Sequence, residues 1–145
     1  MEALTKSLDD RKHIKWNNKY CMGISIIDEE HKKLIGFLNK AIDAKEHGDN
    51  KEELQEVLEE MTKFALEHFK TEEAYMSKYE YPDYLLHYNE HLNFSLHMII
   101  YNNQVINGEY KIMDELYNYL QEWLVHHIQK TDKKYTKCFN KNGLR

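Results

Sequence analysis

Between Ile27 and Tyr135 the apolar residues return every three or four positions in four successive runs, the spacing of helices with one buried face. The first run holds Ile27, Leu34, Ile35, Leu38, Ala41 and Ile42, with Asp28 as its N-cap and an end near His47. A second, from about residue 50 to 79, carries Leu54, Val57, Leu58, Met61, Phe64, Ala65 and Met76. The third runs from about Asp83 to Asn107 and sets Phe94, Met98 and Val105 on one side. The fourth starts near Tyr110 and continues through Ile112, Leu116, Leu120, Trp123, Leu124 and Ile128 to Thr131 and Tyr135. Residues 1–27 show no sustained period and read as an irregular arm anchored by Trp16, Tyr20, Ile24 and Ile27; residues 136–145 read as a tail.

Few residues interrupt these runs. Gly48 and Gly108 follow periodic segments, as glycine does just past a helix end, and Tyr81-Pro82-Asp83 marks the remaining boundary. Helices joined by short connections pack as antiparallel neighbours. The expectation is therefore an all-α fold, an up-down-up-down four-helix bundle over residues 28–135, with the whole chain 1–145 as one domain.

Composition narrows the function classes. A formal charge of -5 is the wrong sign for a nucleic-acid binder, and the basic stretch Lys133–Arg145 reads as a short solvated terminus. No apolar run approaches the ~20 residues that span a bilayer, so no membrane insertion is expected. Cys21 and Cys138 form neither a CxxC motif nor a disulfide framework, and the first ten residues are too charged for a signal peptide. A reducing cytoplasm is the expected location.

The chemistry lies on the inward stripes. His68 and Glu72 are four apart, as are His87 and His91, which places each pair on one helix face. His127 precedes Asp132 by five, and His31 opens the first helix. Start, end, start, end: in an antiparallel bundle all seven side chains converge on one end. Buried without partners, such groups cost ~1–3 kcal/mol each, and a metal supplies the partners. Seven donors are too many for one tetrahedral zinc, no thiolate lies among them, and two carboxylates able to bridge favour a pair of six-coordinate ions. The Glu-x-x-His motif of ferritin-like di-iron proteins is absent from the sequence. His13, His47, His97 and His126 lie off the inward stripes. His126 is adjacent to His127 but shares its face with Glu122 and Lys130.

These residues resemble the hemerythrins, specifically the single-domain bacterial ones. The matching stretches are Asp28-Glu-Glu-His31-Lys, His68-Phe-Lys-Thr-Glu72-Glu-x-x-Met76, Tyr81-Pro82, His87-x3-His91 and Trp123-Leu-x-x-His127-Ile-x3-Asp132. One departure is Glu30, which stands where family members often have glutamine. The resemblance implies two iron ions per chain. His87, His91 and His127 would hold one, and His31 and His68 the other. Glu72, Asp132 and an oxo or hydroxo group would bridge them, leaving one coordination position open. Phe69, Met76, Trp123 and Leu124 would form an apolar cover over bound oxygen.

The function this implies is reversible dioxygen binding for storage, delivery or sensing, rather than enzymatic turnover. The alternatives are a di-iron oxidase, peroxidase or nitric-oxide-handling enzyme, and an iron buffer or sensor. Dioxygen is the expected ligand, and delivery or sensing would need a separate oxygen-accepting or signalling protein.

Overall fold

The computed structural model describes residues 13–46, 51–109 and 113–145 of the chain. It is a four-helix bundle: α1 spans Ser25–Glu46, α2 Lys51–Lys78, α3 Tyr84–Ile106 and α4 Met113–His126. The fourth arm does not stop at α4. It passes through a six-residue π-helical segment, His127–Asp132, into α5, Lys133–Lys141. Gly48 and the expected fourth-helix start at Tyr110 lie outside the described residues, as do the arm's first twelve. No helix among the described residues is long and apolar enough to cross a membrane.

The first helix begins earlier than the capping pattern suggests. Gly23 turns the chain at φ 76°, and Ser25 opens α1, so Ile24 and Ile27 belong to the bundle rather than to an irregular arm. Asp28 is not the N-cap. It sits in the first turn, where its carboxylate accepts from the Met22 backbone N–H at 2.8 Å and so ties the approaching chain to the helix start. Upstream, Asn39 grips the arm with both ends of its amide, accepting from Ile14 N–H at 2.8 Å and donating to Ile14 C=O at 3.0 Å. Tyr20 is buried, and Trp16 is half-buried against the core.

The α2–α3 reversal sets the register on which the site depends. Tyr81 N–H bonds back to Met76 C=O at 2.8 Å, closing α2 with a Schellman turn in which Glu80 takes the left-handed position at φ 52°. Pro82 follows, and α3 starts two residues later. So short a turn brings the last third of α2 against the first turns of α3, which is where His68, Glu72, His87 and His91 lie.

Two apolar clusters fill the interior. The larger takes Leu34, Leu38, Leu58, Met61, Phe94, Met98, Leu116, Leu120 and Leu124. The smaller, at the other end, joins Met22, Ile24, Ile27, Met76 and Tyr81 to Tyr135 and Phe139. The expected tail is thus part of the fold: Phe139 is fully buried, and alternation of Tyr135 and Phe139 with lysines gives α5 an apolar inner face and a basic outer one. A 13-residue basic stretch looked solvated because its apolar residues are spaced by four within it.

Leu58 shows no exposure and lies ten residues, about 15 Å, along α2 from His68. Leu58→Ala should lower unfolding free energy by ~2–5 kcal/mol in denaturant titration while metal content stays unchanged.

Candidate metal centre

Between the two apolar clusters stand His31, His68, Glu72, His87, His91, His127 and Asp132, each at most 2 % exposed. Each helix delivers its share by its own period. His68/Glu72 on α2 and His87/His91 on α3 use the four-residue α spacing. His127 and Asp132 are five apart, a spacing that would leave them about 140° out of line on an α-helix. The π segment removes that mismatch, because its i→i+5 turn returns the fifth residue to the same face.

The donors form two overlapping sets. Glu72, His87, His91, His127 and Asp132 present ligand atoms within 4.8 Å of one another, and so do His31, His68, Glu72 and Asp132. The two carboxylates belong to both sets. Asp132 turns Oδ2 to His31 Nε2 at 2.9 Å and Oδ1 to His87 and His127 Nε2, each at 2.9 Å. Glu72 turns Oε1 to His68 Nε2 at 3.2 Å and to His91 Nε2 at 3.3 Å. Its other oxygen, Oε2, accepts from the Tyr135 hydroxyl at 2.5 Å.

These facing atoms suit metal ions. His31, His68 and His87 Nε2, Glu72 Oε1 and both Asp132 oxygens are buried and lack an aligned hydrogen bond, although nitrogen and oxygen approach to 2.9–3.3 Å. Two donors at right angles around an ion about 2.1 Å from each stand about 3.0 Å apart, so the spacings fit adjacent vertices of an octahedron. A donor set of five imidazoles and two carboxylates matches a borderline metal such as iron.

Behind the donors lies a second row of carboxylates. His68 Nδ1–H donates to Glu30 at 2.7 Å, His91 Nδ1–H to Glu73 at 2.8 Å and His127 Nδ1–H to Glu90 at 3.1 Å. Thr131 donates its hydroxyl to the same Glu90. Each acid sits next in sequence to a donor on one helix and reaches the imidazole of the following helix: α1 to α2, α2 to α3, α3 to the π segment. Each pairing fixes its ring and leaves Nε2 facing the centre. Sequence reasoning missed Glu73, Glu90 and the role of Tyr135. The available signal was the adjacency Glu30-His31, Glu72-Glu73 and Glu90-His91, since one residue turns a helix by about 100° toward its neighbour.

Aromatic rings brace the imidazoles. Phe69 stacks on His91 at 3.9 Å between centroids, and Trp123 stacks on His127 at 4.2 Å. Phe69 and Leu124 are buried in the larger cluster, against which Trp123 packs. Met76 is fully buried but lies in the smaller cluster, so the structure does not group it with the other three expected cover residues. Of the remaining histidines, His47 lies outside the described residues, and the other three stay away from the centre. His13 pairs with exposed Asp43, His97 bonds to Asn93 C=O and stacks on Tyr119, and His126 is exposed.

The profile of the hemerythrin HHE cation-binding domain matches residues 22–138. The chain belongs to the hemerythrin family. Bacteriohemerythrin of Pseudomonas aeruginosa is 32% identical over 123 residues, 85% of this chain and 79% of the relative. That of Methylococcus capsulatus is 29% identical over 81% of this chain and 88% of the relative. A crystal structure of wild-type hemerythrin is 28% identical and superposes with a TM-score of 0.80, covering 86% of this chain and 96% of that one. The buried cluster and the family together fit a non-haem di-iron site.

Without metal the centre is a knot of charges. Burial opposes protonation of His68 and His127, but Glu72 beside the first and Asp132 beside the second outweigh it, holding the imidazoles up at about 10 and about 9. Burial likewise opposes ionisation of Glu72 and Asp132, yet their histidine neighbours hold both carboxyls well below the ordinary range. A folded-state pKa raised above about 6.5 adds stability that is complete below that pH and lost as pH climbs through the raised value. Metal-stripped protein should therefore be less stable at pH 10 than at pH 6.5 in denaturant titrations. Metal-loaded protein, whose imidazoles have exchanged protons for metal, should lose much less over that interval.

His127→Ala should lose bound metal, whereas His126→Ala should keep metal content and visible spectrum, as read by elemental analysis and absorption. The reverse result would mean that the fourth helix is rotated from the arrangement described.

Proposed function

We propose that the protein binds dioxygen reversibly at a di-iron centre, for storage, delivery or sensing, and is not an enzyme. The observation that carries this reading is the pair of unequal donor sets sharing Glu72 and Asp132. His87, His91 and His127 would hold one iron and His31 and His68 the other. Glu72, Asp132 and an oxo or hydroxo group would bridge them. The set with only two histidines is one donor short of the other, which leaves a position for an exogenous ligand, as in reactive rather than structural metal sites. When bound, such an iron pair supplies the electrons and the coordination position that dioxygen requires.

The chain's own residues do the rest. Glu30, Glu73 and Glu90 hold three imidazoles in orientation, and their charges offset part of that of the metals. Tyr135 steadies Glu72 through Oε2. Phe69, Leu124 and Trp123 would exclude water from the side of the larger cluster, with Met76 sealing the opposite end. Proton delivery from solvent would be slow through such a shell, which favours release of the ligand unchanged over its reduction. No helix among the described residues is long and apolar enough to cross a membrane, and cytoplasmic residence fits the unpaired cysteines. An oxygen-accepting or signalling protein would receive the output.

Metal analysis should find about two irons per chain. Anaerobic reduced protein should turn coloured in air and bleach again under argon through repeated cycles. Sustained oxygen consumption with reductant, and no reversible colour, would replace this reading by an oxidase. One zinc per chain with no iron uptake would remove the di-iron assignment altogether.

A further inference from the structure

One face of the bundle is left largely apolar, with none of the described residues over it. On α3 the inward side carries His87, His91, Phe94, Met98, Tyr101 and Val105, all buried. The opposite side is largely apolar too, with Asn89 and Asn103 as its exposed polar positions. Leu85, Leu92, Leu96, Ile99, Ile100 and Ile106 are 44–71 % exposed. At about 100° per residue these six fall within an arc of about 120° centred on the solvent side. Four of them, Leu85, Leu92, Ile99 and Ile106, recur every seven residues, the seam of a helix that packs along another helix.

Charge is missing from the same surface. In a chain whose charged residues make up 31%, α3 contains one, Glu90, and it is engaged by His127 and Thr131. Two copies of a protein of net charge -5 repel each other least across such a face. A membrane surface fits poorly, because an interfacial helix flanks its apolar face with lysine and arginine, and α3 has neither. The exposed side chains, with Tyr88, offer on the order of 800 Å², about one partner's share of a standard protein interface.

We propose that this face of α3 is where two copies of the chain pair, antiparallel, about a two-fold axis beside Leu96. That axis sets Leu85 of one copy near Ile106 of the other and Leu92 near Ile99, and it sets Leu96 against its own counterpart, so one patch serves both partners. Tyr88 and Leu92 of this face also line a groove of about 210 Å³ between α2 and α3, whose other walls include Lys70, Glu73 and His91.

Sedimentation of the full metal-loaded chain at micromolar concentrations should give twice 17.6 kDa. Leu96→Glu, which sets two carboxylates face to face on the axis, should weaken self-association ~100-fold or more while helix content and metal content stay unchanged. Ile99→Glu should act in the same direction, and Leu96→Gln provides an uncharged variant should the charged ones fail to fold. A wild-type chain that stays monomeric overturns the proposal, as does a dimer unaffected by any of these changes. A monomer that floats with phosphatidylcholine–phosphatidylglycerol vesicles overturns it too, and assigns the face to lipid.

Discussion

Seven ionisable side chains buried at one level of a helical bundle are the constraint to which the rest of the structure answers. Neither apolar cluster could accept them, and each alone would cost several kcal/mol in desolvation. They are tolerable only together, as each other's counter-charges without metal or as common ligands with it. That requirement explains why the four helices must meet in one register, and why the α2–α3 turn accepts a left-handed Glu80 to stay short. It also explains why the interior is divided into two clusters with the polar layer between them.

The second row of acids turns that layer into a mechanical link. Because Glu30, Glu73 and Glu90 each reach forward to the next helix, every neighbouring pair in the sequence order is tied at the level of the centre. Apolar packing alone permits helices to slide with little penalty, whereas a charge-assisted hydrogen bond to a buried imidazole has one good geometry. Glu30 belongs to this row as a carboxylate rather than an amide. A carboxylate makes the stronger acceptor for His68 Nδ1–H and places more negative charge beside the centre.

Much of this was legible from spacing. The grouping of seven donors followed from apolar phase plus antiparallel topology, and His127 was separated from His126 by the stripe through Leu120 and Leu124. What was not legible has a physical pattern. The start of α1 depends on how Asp28 reaches back to Met22, a contact that no periodicity announces. The helical tail was hidden by lysines that dominate its composition, although Tyr135 and Phe139 keep the four-residue beat. Tyr135 read as plain apolar core because its ring is one; only the partner of its hydroxyl reveals the tie to Glu72. Met76 shared a stripe with the donors but faces the other cluster, a distinction that depends on depth along the bundle rather than phase.

The π segment makes the fourth arm a vernier. Upstream of His127 the helix keeps step with the larger cluster, downstream of Asp132 with the smaller one, and the wider turn between them absorbs the difference. Loss of any one residue from Ile128 to Thr131 would let the backbone close into an unbroken α-helix, locally more regular than the native chain. The same change would leave Asp132, then four residues from His127, on nearly the same face, whereas closing the segment with every residue kept would swing Asp132, Tyr135 and Phe139 round by about 100°. A spacing of five between His127 and Asp132 thus goes with the wide turn, as a spacing of four would go with the ordinary one.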